Sequence, residues 1–235
     1  MHPSAHEQMR LSIERYMEKG RSHRVLDFGS GTSPGQTLTH RSLLAGYDCE
    51  YTGVDVRAGH NIDVVMTKPY RIPLRSRSFD VVLSGQVFEH VPFFWASLLE
   101  IARVMKPRAY FFMTVPSRGH VHSTYDCWRV YPDGLRAMAA WSRLNLREAF
   151  TDFPPTVEGL PRKHDFKAID DTNHYWGDTV GVFQKPARYP SLRAAVLSTP
   201  LRLWANRIGG LEGVPAPKVR EQRRNVLRKR PQDSA

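Results

Sequence analysis

Long apolar runs are missing from this chain. None of its 235 residues lies in a stretch near the roughly 18–20 apolar residues of a membrane span. The opening MHPSAHEQMRLSIERYM mixes polar and apolar side chains in a way that does not suit a cleavable leader. Cysteine is nearly absent. Cys49 and Cys127 stand in unrelated segments without metal-ligand spacing, which fits a reduced, cytoplasmic protein with free thiols. Acidic residues are also scarce, 23 against 34 Lys and Arg, for a formal charge of +11. That excess is local: from Lys185 onward twelve Lys/Arg face three Asp/Glu, a net +9, which leaves +2 for the first 184 residues. Phosphate-binding proteins carry their charge on a folded face, so no specific nucleic-acid partner is expected. A basic tail suits an anionic membrane surface, an acidic partner or plain solubility.

The composition that remains is ordinary for a soluble protein, 41% hydrophobic and 24% charged. The length suits one α/β domain with an appendage. We expect the domain to span residues 1–184, with 153–177 as an insertion on its acceptor side and 185–235 as a basic extension. Met9, Ile13, Tyr16 and Met17 recur at helical spacing within 4–19. Short apolar strands are expected at 23–28, 51–56, 62–66, 79–84 and 110–115, with helices at 37–46 and from Trp95 to Met105. Lys106-Pro107 should end that second helix and Pro116 the fifth strand. Asp133 is a candidate cap for a helix through Leu144, and two late strands fit 145–152 and 178–184. A kinked or broken helix fits 191–209, which contains Pro200. Apolar strands alternating with helices predict a Rossmann-like, seven-stranded, mostly parallel sheet with helices on both faces.

The strongest local signal is Val25-Leu-Asp-Phe-Gly-Ser-Gly-Thr-Ser-Pro-Gly35. Gly29 and Gly31 let the backbone turn sharply and approach a ligand, and the next helix aims its N–H groups at it. A dinucleotide fold needs Gly-x-Gly-x-x-Gly, and here the third glycine comes one position late. Asp27 precedes the turn, where a carboxylate would sit poorly beside pyrophosphate but well beside the amino group of a zwitterion. Asp55 ends the second strand, where it can accept both ribose hydroxyls. Phe79-Asp-Val-Val-Leu-Ser-Gly-Gln-Val-Phe-Glu-His-Val91 runs a fourth strand into a loop.

These three segments, in this order, resemble the class I S-adenosylmethionine (SAM)-dependent methyltransferases, and their type 11 group in particular, over residues 23–116. The resemblance implies that Asp27, Gly29, Ser30 and Gly31 hold the methionine portion of SAM. It also implies that Asp55 and Val56 hold the ribose and adenine, and that Gln86 lies near the sulfonium. The chain departs from the family at Lys68, where an Asp often reaches the adenine amino group. Either backbone alone holds the adenine or Asp63 takes over.

Methyl transfer to a hydroxyl needs alignment and removal of a proton, for which a neutral histidine is suited. Gly119-His-Val-His-Ser-Thr-Tyr-Asp-Cys-Trp-Arg-Val-Tyr-Pro-Asp-Gly134 follows the fifth strand. It resembles a type 11 subset with a His-x-x-x-Asp-Cys-Trp-Arg-x-Tyr-Pro-Asp-Gly signature, which includes enzymes that methylate bacterial glycans and mycobacterial polysaccharides. That match implies His122 as general base, with His120 as alternate and Asp126 orienting it or touching a metal. Trp128 and Tyr131 are candidate pocket walls that also suit the core. Glu89, beside His90, is a further catalytic candidate that also suits a structural role. Asp170, Asp171 and His174 could hold Mg²⁺.

The reading expected is O-methylation of a sugar hydroxyl in a glycan or polysaccharide precursor. N- or C-methylation of a small metabolite or lipid-linked acceptor is the alternative. A non-catalytic SAM-binding module with a basic docking tail is the third. Ser84-Gly-Gln-Val stands where base amino-methyltransferases carry an Asn-Pro-Pro-Tyr motif, and Cys127 follows Asp126 rather than a proline. Both points weigh against nucleobase chemistry.

Overall fold

The computed structural model describes residues 3–32, 35–119, 125–152 and 177–209. Helix α1 (Pro3–Tyr16) leads into β1 (His23–Phe28), a one-turn α2 (His40–Leu43), β2 (Cys49–Asp55), β3 (Val64–Val65) and β4 (Phe79–Gly85). A 3-10 turn at Phe88–His90 precedes α3 (Phe94–Val104), β5 (Met105–Arg118), α4 (Pro132–Ser142), β6 (Asn145–Asp152), β7 (Gly177–Gln184) and α5 (Ser191–Ile208). The seven strands form one sheet in the order β3-β2-β1-β4-β5-β7-β6. The first five are parallel, and β7 runs antiparallel to both β5 and β6. This is the Rossmann-like sheet that the apolar strand runs predict.

Side chains alternating along each strand divide the interior in two. Leu26, Val82, Phe111 and Met113 pack with Leu98 and Ile101 of α3 and Leu135 and Met138 of α4. Val25, Val81, Leu83 and Phe112 face the other way, onto Met9 and Ile13 of α1. β1 pairs with β2 on one side and β4 on the other, so the winding reverses at β1. Ligands of open α/β sheets bind outside the carboxyl ends of the strands at such a reversal.

Four expectations need correction. The helix expected at 37–46 is only His40–Leu43, because Thr39 caps it by accepting the Ser42 N–H. Lys106-Pro107 does follow the end of α3, but β5 begins at once, since Met105 pairs with Phe79 and a register shift follows. Pro116 does not stop β5, which runs to Arg118 against β7 with an irregularity beside the proline. Asp133 is not the cap of α4. Tyr131 occupies that position and Pro132 starts the helix, with Asp133 paired to Arg136.

α5 continues through Pro200 rather than breaking there. After the proline, Arg202 pairs with buried Glu100 at 2.6 Å and Ala205 is fully buried, which anchors that half on the domain. Lys185 is buried as well, donating to the Ala102 and Met105 carbonyls, and burial pushes its ammonium down to about 8. No helix among the described residues is long and apolar enough to cross a membrane.

Candidate active site

A cavity of about 900 Å³ opens at the carboxyl ends of β1, β2 and β4. The glycine turn forms one wall. Gly29 has φ +80°, a left-handed conformation that costs L side chains energy, and a Cβ there would collide with Val87. A Cβ on Gly31 would meet Asp55 Oδ2 at 2.8 Å. Without it, Asp55 Oδ2 accepts the Gly31 N–H at 3.1 Å while Oδ1 accepts the Val56 N–H at 2.6 Å. Asp55 therefore ties the end of β2 to the turn and lines the cavity, with the exposed apolar face of Val56 beside it. Met66, Thr67, Pro69 and Tyr70 complete that end. A carboxylate next to an apolar slot fits a ribose and its flat base.

Asp27 also lines the cavity, yet it is only 1% exposed and already engaged. Oδ1 lies 2.9 Å from His40 Nδ1, and Oδ2 accepts the Tyr51 hydroxyl at 2.6 Å. Burial, then the Asp27 charge, pushes the Tyr51 phenol up, so it stays a donor. Ser30 lines the cavity while its hydroxyl donates to the Asn61 carbonyl at 2.9 Å, which pins the turn to the segment after β2. Gln86 takes φ +58° at the end of β4 and donates through Nε2 to buried Asp178 at 3.1 Å. All seven residues expected at the cofactor, Asp27, Gly29, Ser30, Gly31, Asp55, Val56 and Gln86, thus line one cavity. Asp63 does not. It is held by Arg41 at 2.8 Å and by the Gly53 N–H at 2.7 Å, and Lys68 is likewise outside the lining.

The acceptor side divides differently. His120, His122, Asp170, Asp171 and His174 lie outside the described residues. Among the described residues no group of three or more His, Cys, Asp or Glu could hold a metal ion. Asp126 is fully buried against Arg129 at 2.5 and 2.7 Å, so its carboxylate is committed to a guanidinium. Trp128 is a packing residue: its Nε1 donates to the Val91 carbonyl and its ring meets Phe94 edge-on at 5.3 Å. Tyr131 is 53% exposed and outside the cavity lining. Tyr125 and His90 line the cavity instead, joined through His90 Nδ1 and the Tyr125 carbonyl at 2.5 Å. Tyr125 did not stand out in the sequence beside Asp126, and His90 entered only as the neighbour of Glu89.

Glu89 is fully buried and does not line the cavity, so it is not placed to touch a substrate there. Its backbone carbonyl accepts the Cys127 N–H at 2.6 Å and so ties two loops together. Burial pushes its carboxyl up to about 8. Its own N–H and Arg129 pull the other way, and Asp126 and Asp178 add to the rise. The folded chain therefore keeps this proton up to about pH 8, whereas an unfolded glutamate releases it near 4.5. Between those values the folded state binds the extra proton, so stability falls as pH rises. Urea unfolding at pH 5 and pH 8 should show the wild type losing on the order of 2 kcal/mol relative to Glu89→Gln across that window. Parallel behaviour of the two chains would mean that Glu89 is ionised in the fold.

Residues 26–113 match the family model described as a methyltransferase domain. A phthiotriol/phenolphthiotriol dimycocerosates methyltransferase of Mycobacterium ulcerans is 33% identical over 102 residues, covering 39% of this chain. The chain spans about a third of that relative's length, 36%. Among solved structures, Haemonchus contortus phosphoethanolamine N-methyltransferase 2 in complex with SAM aligns with a TM-score of 0.53 and 17% identity, over 75% of this chain and 52% of that one. A geranyl diphosphate methyltransferase in complex with SAM gives 0.55 at 11% identity, over 77% and 85%. The [4+2]-cyclase SpnF gives 0.57 at 15% identity, over 78% and 81%. At these identities the structures speak for the fold alone.

Proposed function

We propose that this chain, whose residues 26–113 match the methyltransferase domain model, is a SAM-dependent methyltransferase that transfers a methyl group to a sugar hydroxyl of a glycan or polysaccharide precursor. The observation that carries the cofactor half is the cavity itself, where the glycine turn, Asp55 and Gln86 meet at the reversal of the sheet. Bound SAM would supply a methyl group already activated by the sulfonium. The protein's work is then to hold the acceptor in line and take its proton. Gly29, Gly31 and Asp55 fix the cofactor end, and Gln86 marks the end of β4 beside which the acceptor must enter. Tyr125 lines the cavity, and His120 and His122 lie between β5 and Tyr125 in the sequence. Aromatic and imidazole groups together suit a sugar face and the deprotonation of its hydroxyl.

The test is methyl transfer from labelled SAM to monosaccharides, methylated mannosides and short glycans, with and without Mg²⁺. Turnover on a sugar supports the reading. Transfer only to amines or lipid-linked acceptors overturns its sugar half, and Mg²⁺ dependence would point to Asp170, Asp171 and His174.

A lipid-linked acceptor is the second reading. Val196, Leu203 and Trp204 are 64%, 63% and 49% exposed on α5, and at this spacing they share one helix face. Beyond Gly209 the chain carries seven Lys/Arg against three Asp/Glu. An apolar helix face followed by basic charge suits an anionic lipid surface. The M. ulcerans relative is named for a dimycocerosate substrate. Ending the chain at Pro217 should leave SAM affinity within about twofold while reducing co-sedimentation with phosphatidylglycerol vesicles. Equal sedimentation of both chains would count against the lipid surface. Loss of SAM binding without unfolding would make the tail part of the cofactor site.

A further inference from the structure

On the face of the sheet that carries α1, the carboxyl ends of β1, β4 and β5 and the amino end of the antiparallel β7 form a buried strip. Asp27 lies two residues beyond Val25, Gly85 two beyond Leu83, Thr114 two beyond Phe112, and Asp178 four before Val182, so all share one face. His40 sits over this strip at 5% exposure and lines the cavity. Its Nδ1 is 2.9 Å from Asp27 Oδ1. A carboxylate oxygen accepts from Nδ1–H, and in that tautomer the imidazole presents a lone pair at Nε2. That atom is buried and has no hydrogen-bond partner among the described residues. It faces the end of β4: a Cβ on Gly85 would lie 2.7 Å from Nε2 and 3.2 Å from Thr114 Oγ1. Thr114 Oγ1 and Gln86 Oε1 are also buried without partners among the described residues. Gln86 Nε2 is turned to Asp178, which leaves its oxygen as an acceptor. The strip therefore gathers two buried carboxylates behind a set of unfilled acceptors, an arrangement that calls for a cationic donor.

We propose that His40 Nε2, held in its tautomer by Asp27, accepts the α-amino group of the cofactor's methionine end. Asp27 acts through the imidazole, and its two oxygens are already taken by His40 and Tyr51. This replaces the direct carboxylate contact that the sequence suggests. The glycine at position 85 lets the ring lie directly against the strand, since a Cβ there would meet Nε2 at 2.7 Å. The proposal rests on the SAM-dependent reading of the cavity and adds to it a residue that recognises the amino group.

The experiment pairs a change in the protein with a change in the ligand, read by calorimetry with turnover measured alongside. S-adenosylhomocysteine, its analogue lacking the α-amino group, and 5′-methylthioadenosine, which lacks the whole amino-acid end, are titrated into wild type and His40→Ala. In the wild type, removing the amino group should weaken binding about 10- to 100-fold, the range for a hydrogen bond to a charged donor. In His40→Ala the same removal should cost less than about threefold, and 5′-methylthioadenosine should bind both proteins alike. Because the readout is the difference between ligands, a general loosening of His40→Ala cannot imitate it. If removing the amino group costs the same in both proteins, His40 does not receive it and the proposal fails. Unchanged affinity with a large loss of turnover would make His40 a proton acceptor from the substrate and would also overturn it. If the wild type binds none of the three ligands, the SAM reading fails first and the role of His40 falls with it.

Discussion

Asp55→Ala should weaken SAM binding by on the order of 3 kcal/mol, more than a hundredfold, with the fold intact. Two effects add. A carboxylate at the end of β2 can accept both ribose hydroxyls, and alanine accepts neither. Asp55 also accepts the Gly31 and Val56 N–H groups, so its loss frees the turn that approaches the ligand most closely. The side chain lines the cavity and is only partly buried, which is why the fold should survive without it. Asp55→Asn separates the two contributions. Its amide oxygen can still accept one backbone N–H, while its amide nitrogen cannot accept from a hydroxyl. We expect Asn to restore part of the turn and little of the affinity. Calorimetry with SAM, alongside circular dichroism, makes the comparison. Unchanged affinity in Asp55→Ala would refute the cofactor assignment of the cavity.

The parts legible in the sequence are those that repeat or sit next to one another along the chain. Strand β1 with its glycine turn, the acid that ends β2, and β4 running into its loop each announce themselves within about ten residues. They meet in space because parallel strands all bring their carboxyl ends to one edge. That is why the seven residues expected at the cofactor all line one cavity.

The strip under α1 has no such signature. His40, Thr114 and Asp178 are separated by scores of residues and are joined only by strand order, in which β7 inserts beside β5. Asp27 shows the same limit in a single residue. Its place before the turn correctly puts it at the cavity, but its partners His40 and Tyr51 come from α2 and β2, and they change what it can do. Burial was equally opaque. Trp128 and Asp126 sit in a motif rich in chemistry, yet one is a packing ring and the other the partner of Arg129. Element boundaries near proline misled for another reason. Pro116 and Pro200 are breakers by local rule, but pairing to β7 and the docking of Arg202 on Glu100 supply what each proline withholds.

The proton acceptor should separate kinetically from everything that binds the cofactor. His122→Ala is expected to lower turnover by about 10²- to 10⁴-fold while leaving SAM affinity nearly unchanged, the pattern for loss of a general base. The expectation comes from the chain: β5 ends at Arg118, on the edge of the sheet where the cavity opens, and Gly119-His-Val-His follows it in the sequence. His120 and His122 alternate, so in an extended stretch both would point one way, and the two must be changed separately. The neighbouring groups sharpen the contrast. Asp126, fourth after His122, is buried against Arg129, so Asp126→Asn should act first on the stability of the loop. Glu89, buried and holding its proton up to about pH 8, cannot take a proton from a substrate near neutrality. Turnover and SAM affinity measured side by side for His122→Ala and His120→Ala decide among these groups. A large loss in His120→Ala alone moves the role to His120. Normal turnover in both removes the loop histidines altogether, and His40 or His90, the imidazoles that line the cavity, would then be the bases to test.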